Sequence, residues 1–203
     1  MNPLHILGID EAGRGPLAGP VSIGACVVPY NFDFSVFLNL KDSKKLSEKR
    51  REEIFLQMQA LKKVGKLDFS VALVSHTYID SEGISFAIRK GIEGVLLKLK
   101  ADPEITKIFL DGSLKAPEIF SNQETIIKGD ELVPAISLAS IAAKVTRDRH
   151  MIKIAETYPE YSFEVHKGYG TSKHIKMIAE RGLCDIHRRS FTRTLQKGGD
   201  YVK

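Results

Sequence analysis

The chain has 203 residues, 43% hydrophobic and 27% charged, so it can bury a normal core; wholesale disorder, a fibrous repeat and a disulfide framework are excluded. No stretch approaches the ~20 apolar residues that cross a bilayer, and Met1–Glu11 lacks the basic start and long apolar centre of an export signal. A soluble, cytoplasmic protein with no membrane partner is expected. The formal net charge is +5, but Met1–Ala143 holds 17 Lys and Arg against 18 Asp and Glu, whereas Lys144–Lys203 holds 13 against 7. The basic excess lies wholly in the last third, which suits a polyanion partner, although an ordinary solvated face can have the same composition. Cys26 and Cys184 share no metal-type spacing and read as reduced thiols.

In chain order, Leu4–Asp10 and Val21–Val28 are short apolar runs that predict strands. The Gly- and Pro-rich segment between them, Asp10 to Pro20, cannot continue a strand or form a helix. Ser47 is placed to cap a helix over Glu48–Lys62, and Leu67–Val74 predicts another strand. Ile84, Ile88, Ile92, Val95, Leu96 and Leu99 recur at helical spacing within Gly83–Leu99. Strands are expected at Thr106–Leu110 and Thr125–Lys128, and helices at Ser137–Thr157 and Ser172–Arg181, the second stopping at Gly182. Small residues in Ser137–Ala143 would let that helix approach its neighbour closely. Residues after Phe191 are polar. The pattern argues for a mixed sheet with helices on its faces and a basic C-terminal module.

The acids are the informative feature. Asp10, Asp111 and Asp130 each follow an apolar run, so all three are expected at the C-terminal ends of strands, the edge where open α/β sheets bind ligands. Carboxylates gathered there repel one another unless they share a proton or a cation, and hard divalent cations with oxygen ligands resolve the conflict. Glu11 poses a geometric difficulty, because neighbouring strand residues point to opposite faces; a bend at Ala12-Gly13-Arg14-Gly15 would let both acids face one site. Gly13, Gly15 and Gly19 also suggest a dinucleotide fingerprint, but the spacing is wrong by one, Pro16 and Pro20 interrupt it, and a strand follows where a helix is needed.

The segment Gly8-Ile9-Asp10-Glu11-Ala12-Gly13-Arg14-Gly15-Pro16-Leu17-Ala18-Gly19-Pro20 resembles the N-terminal signature of type 2 ribonuclease H, ribonuclease HII. Five further segments match in order: Asp42–Ser47, Leu110–Gly112, Lys128–Asp130 through Ala143–Asp148, His166–Thr171 and His187–Phe191. The resemblance spans nearly the whole chain. It implies an α/β, ribonuclease H-like fold with a central mixed five-stranded sheet flanked by helices, a catalytic domain over 1–158, and a basic helical segment and tail over 159–203 packed on the same core. It implies a metal-dependent endonuclease that cuts the RNA strand of RNA/DNA hybrids and nicks duplex DNA 5′ to an embedded ribonucleotide, leaving 5′-phosphate and 3′-hydroxyl ends. A monomer is expected.

Asp10, Glu11, Asp111 and Asp130 match the family's four acidic positions and are the expected ligands of Mg²⁺ or Mn²⁺, two ions per site. Such a pair, about 3.5–4 Å apart, supports in-line phosphodiester hydrolysis. Gly13, Arg14 and Gly15 are expected to read the 2′-hydroxyl that separates RNA from DNA, and Tyr169 to pack on the neighbouring deoxyribose. Ser43, Lys44, Ser137 and Lys144 are expected phosphate contacts, with Arg188 and Arg189 holding the duplex backbone. Asp148, between Arg147 and Arg149, reads either as part of a salt-bridged helix face or as a support for the metal site. The nearest rivals are type 3 ribonuclease H, which has an additional N-terminal domain and usually Lys where Arg14 stands, and a non-catalytic nucleic-acid-binding protein on the same scaffold. The tail shows no apolar peptide suited to a clamp partner.

Overall fold

The computed structural model describes residues 3–37, 40, 46–193 and 195. Its strands are β1 (His5–Ala12), β2 (Val21–Pro29), β3 (Asp68–Val74), β4 (Thr106–Asp111) and β5 (Gln123–Ile126). Its helices are α1 (Glu48–Lys63), α2 (His76–Glu82), α3 (Ile84–Lys98), α4 (Gly129–Leu132), α5 (Pro134–Thr157), α6 (Phe163–His166) and α7 (Ser172–Arg181). The five strands form one sheet in the order β3-β2-β1-β4-β5. β1, β2 and β3 pair antiparallel, whereas β4 and β5 run parallel to β1, which is the mixed sheet expected from the sequence.

Strand alternation divides the core. Leu7 and Ile9 of β1, Ile23 of β2, and Ile108 and Leu110 of β4 pack against Ile88, Ile92 and Val95 of α3. On the opposite face Cys26 meets Ile54 and Met58 of α1 and Leu138, Ile141 and Ala142 of α5. Helix α5 lies unusually close to the sheet. A β-carbon on Gly8 would fall 2.2 Å from the Ala135 carbonyl carbon, and one on Gly24 would fall 2.2 Å from the Ala139 oxygen. Only glycine opposite alanine permits that approach. A third apolar cluster, including Ala18, Met151, Tyr161, Phe163, Ile178 and Ile186, joins the C-terminal helices to the far end of α5.

The helix ends follow their local chemistry. Ser47 accepts a hydrogen bond from the Arg50 amide, and Thr171 accepts one from the His174 amide. Several boundaries differ from expectation. β1 runs on to Ala12, two residues into the Gly- and Pro-rich segment, because it stays paired to β2 as far as Ala12–Ser22. β5 begins two residues early and ends at Ile126, because Gln123 fastens the preceding loop through the Ala116 amide and the Phe120 carbonyl, while Lys128 is left-handed (φ 56°). Asp130 accordingly sits in the first turn of α4 and not at a strand end. Helix α5 starts at Pro134 instead of Ser137, proline being suited to a first helical turn. Two short helices, α2 and α6, have too few residues for periodicity to reveal them.

The glycines opposite α5 give a stability test. Gly24→Ala should destabilise the fold by about 1–3 kcal/mol through overpacking. Gly94→Ala, whose β-carbon would meet Ala72 Cβ at an ordinary 3.8 Å, should be neutral or gain up to about 1 kcal/mol from helix propensity. Denaturant unfolding of both variants measures the contrast, and equal effects would contradict the packing argument.

Candidate active site

The sheet register builds the site. Pairing between β1 and β4 ends at Ile9–Leu110, so one further step along both strands brings Asp10 beside Asp111 on the face covered by α5. Glu11 alternates to the other face. Beyond Ile9, β1 remains paired to β2 only, and a cavity of about 360 Å³ opens there. Its walls include Asp10, Glu11, Asp111, Lys144, Tyr169 and the Gly13–Gly15 loop. The sharp bend expected at Ala12 is unnecessary, since β1 continues to Ala12 and the cavity reaches round its free edge.

Asp10 is 3% exposed. Burial pushes its carboxyl well above the usual range; a hydrogen bond to the Ser140 side chain opposes that shift, and the nearby Asp111 and Glu11 charges add to it. Burial also raises Glu11, against the pull of Arg14, whose guanidinium lies 3.4 Å from the Glu11 carboxylate. Asp111 accepts a 2.7 Å hydrogen bond from the Gly129 amide, which ties β4 to the turn carrying Asp130. Asp130 itself is fully buried and does not line the cavity. Among the described residues, no three Asp, Glu, His or Cys side chains are gathered at metal-binding spacing.

Two buried guanidiniums hold the glycine loop. Arg188 donates to the carbonyls of Gly19 (2.9 Å), Arg14 (2.9 Å) and Gly13 (2.6 Å). Arg147 donates to Pro20 (2.9 Å), Lys167 (3.0 Å) and Ala18 (3.2 Å). Gly13 is left-handed (φ 84°), and a β-carbon there would lie 2.0 Å from Arg147 Nε, so neither the conformation nor the space admits a side chain. Around Gly15, by contrast, a β-carbon would meet nothing within 4 Å, so its backbone is open to a ligand.

The sequence matches a family model described as Ribonuclease HII over residues 7–194. Ribonuclease HII from Endomicrobium trichonymphae is 44% identical over 187 residues, covering 92% of this chain and 85% of that one. The chain belongs to the ribonuclease HII family. Among solved structures, ribonuclease H2 from Pyrococcus horikoshii OT3 superposes with a TM-score of 0.72 at 28% identity, covering 96% of this chain and all of that one. Ribonuclease HII from Archaeoglobus fulgidus, solved in complex with PCNA, gives a TM-score of 0.76 at 25% identity over 95% and 97%. The fold is therefore ribonuclease H-like, and the enzyme is a ribonuclease H hydrolase.

Within this ribonuclease HII chain, Asp10, Glu11, Gly13, Arg14, Gly15, Asp111, Lys144 and Tyr169 line one cavity, and Asp130, expected with them, does not. Lys144 Nζ pairs with Asp148 at 2.9 Å, one turn along α5, so Asp148 is part of a salt-bridged helix face at the cavity wall. Two assignments need correction. Ser137 is 2% exposed and donates to the Asp130 carbonyl at 2.6 Å, so it braces the α4 turn and does not face a phosphate. Arg188 is fully buried and spends its donors on the loop carbonyls, so it cannot grip a duplex backbone. Arg189 is exposed. Ser43 and Lys44 lie outside the described residues. The sequence reading missed Arg51 and Ser140, which also line the cavity, and Arg147. Ser140 stands one helical turn from Lys144, a spacing that could have disclosed it.

A histidine pair ties the Tyr169 segment to the C-terminal one. His174 Nδ1 donates to the Tyr169 carbonyl (2.9 Å), because a carbonyl only accepts. His174 Nε2 must then accept from His187 Nε2 (3.0 Å), and His187 Nδ1 accepts from the Cys184 amide (3.0 Å). Both rings are neutral in this chain of bonds. Burial holds each at about 4, below the ordinary 6.5.

Two predictions follow from these charges. At neutral pH the buried Asp10 carboxylate, with like charges beside it, costs stability, so Asp10→Asn should raise the melting temperature in EDTA by a few degrees while abolishing turnover; about 1 kcal/mol corresponds to roughly 2–4 °C at this size. Calorimetry of the two proteins decides it, and a lower melting temperature would contradict the electrostatic reading. The histidines, depressed on folding, favour the native state above pH 6.5 and lose that contribution as pH falls through about 4. Asp10 and Glu11 act in the opposite sense, so denaturation of Asp10→Asn between pH 7 and 4 is the cleaner measurement, and stability should decline across that window.

Proposed function

We propose that this enzyme hydrolyses the RNA strand of RNA/DNA hybrids and nicks duplex DNA on the 5′ side of an embedded ribonucleotide, leaving 5′-phosphate and 3′-hydroxyl ends. The observation that carries the reading is that three carboxylates, a glycine loop with open backbone and a half-exposed tyrosine share one cavity. Asp10, Glu11 and Asp111, with Asp130 one residue from the amide that holds Asp111, are the groups that would bind Mg²⁺ or Mn²⁺. The donor set fits. It is all oxygen, and Asp10 already bears the electrostatic cost of its acidic neighbours, which a hard divalent cation offsets. When bound, such ions activate water for attack on phosphorus and stabilise the charge on the leaving oxygen.

The chain's own residues select and orient the strand. Arg188 occupies the carbonyls of Gly13 and Arg14, which leaves the loop amides and Gly15 to meet the ribose 2′-hydroxyl. The Tyr169 ring, 40% exposed, is suited to pack on the next sugar, where a second 2′-hydroxyl would crowd it. Lys144 Nζ lies 5.7 Å from that ring's centre and remains salt-bridged to Asp148, which fixes a positive charge at the cavity wall for a phosphate.

A DNA duplex containing one ribonucleotide, incubated with and without Mg²⁺ or Mn²⁺, should be cut once, 5′ to the ribonucleotide, only with metal. Asp111→Asn should lower turnover at least about 10²–10³-fold with little change in duplex affinity, since the lost term is electrostatic stabilisation of the reaction and not binding. Tyr169→Ala should reduce the preference for a single ribonucleotide over a long hybrid more than it reduces binding. Cleavage at deoxyribonucleotides, or metal-independent cleavage, sinks the proposal.

A further inference from the structure

A second cavity, of about 320 Å³, adjoins the first through Arg14. One wall is the first two turns of α3, where Ser85 and Arg89 project from the same helical face; the other is the turn after β4, Ser113 to Lys115, which leaves the sheet two residues beyond Asp111. Gly112 makes that turn possible with φ 62°. The polar lining is three cations and two hydroxyls, Arg14, Arg89, Lys115, Ser85 and Ser113, and contains no carboxylate.

Arg14 spans both cavities and pairs with Glu11 on the acidic side. Among the described residues, Arg89 and Lys115 make no ion pair. The Arg89 guanidinium lies 4.0 Å over the exposed Phe86 ring, a stacking that holds the fork in place before any ligand arrives. Like charges converging on one concavity repel, so the arrangement is favourable when an anion sits between them. Hydroxyls beside two cations, with aliphatic side chains of Ile88 and Leu114 beneath, suit a phosphodiester better than a carboxylate, because its several oxygens can each take a donor.

We infer that this second cavity binds the substrate's sugar–phosphate backbone at phosphates beyond the one being cut, with Arg89 and Lys115 as the principal contacts. The inference rests on the nuclease reading above and extends it. A strand whose scissile phosphate lies at Asp10 and Asp111 passes Arg14 and enters the Arg89–Lys115 cavity next, so the acidic centre, which repels a polyanion, is flanked by an anchor that holds the strand in register. No base edge is engaged there, so the contact adds affinity without sequence preference.

The test is the salt dependence of binding. A labelled DNA duplex with one ribonucleotide is titrated with the protein in EDTA between 50 and 200 mM KCl, and log Kd is plotted against log salt. Each neutralised phosphate contributes about 0.9 to the slope, so the Arg89→Gln/Lys115→Gln double variant should lower it by about 1.8. Methylphosphonate replacement of single phosphates should weaken wild-type binding at every contact, and the double variant should become insensitive at one or two positions next to the cleavage site. Both side chains are exposed, so the melting temperature should not change. The pair Lys63→Gln/Lys66→Gln, at the end of the sheet away from the carboxylates, should leave the slope unaltered. An unchanged slope in the Arg89/Lys115 variant, with wild-type protein still cutting at the ribonucleotide, overturns this inference alone. Wild-type protein that neither binds nor cuts the duplex overturns the nuclease reading and this inference with it.

Discussion

The structure depends on a concentration of negative charge held at the end of two parallel strands. Asp10 and Asp111 are the first residues beyond the β1–β4 ladder and share the face beneath α5, with Glu11 at the same free edge. Three acids in a partly buried cavity are unfavourable in isolation, and burial is the largest influence on both Asp10 and Glu11. Every neighbouring feature limits or exploits that cost. Ser140 and the Glu11 amide bond to Asp10, Gly129 donates to Asp111, and Arg14 sits against Glu11.

Positive charge is placed round this centre in two different ways. Arg147 and Arg188 are buried and use their donors on six carbonyls, so they organise backbone and leave no face for a ligand. Burial and the proximity of Arg147 pull Arg188 down to about 9, yet it remains cationic at neutral pH. Lys144, Arg14, Arg89 and Lys115 line cavities instead. Sequence distance conceals the distinction: Arg188 and Arg189 are neighbours, yet one is a brace for the glycine loop and the other is exposed.

That distinction marks what the sequence could disclose. Strands with apolar runs, the Ser47 cap, the Gly182 stop, and the acids at β1 and β4 were legible because period, capping and position are local properties. The closeness of α5 was legible too, in the small residues Ser137 to Ala143. Roles set by tertiary contacts were not. Nothing local to Ser137 shows that its hydroxyl turns to Asp130, and nothing local to Arg188 shows that three loop carbonyls meet it. The α4 turn escaped for a related reason, since Lys128 adopts a left-handed conformation that its side chain does not announce.

The packing of α5 explains how such a centre is tolerated. An acidic cavity gains nothing from hydrophobic burial, so the stability that offsets it must come from the scaffold beneath. Gly8 and Gly24 let α5 lie against β1 and β2 at backbone contact distance, which surrounds Ala135, Ala139 and Ala142 with atoms on every side. The same helix carries Ser140 to Asp10, Lys144 to the cavity wall and Arg147 to the glycine loop. A single rigid element thus fixes the depth of the carboxylates, a cation at the wall and the glycine loop of the cavity. A shift of α5 by a fraction of an ångström would move all three together, which is why the close contact at the glycines is a condition for the site's geometry and not only for the stability of the sheet.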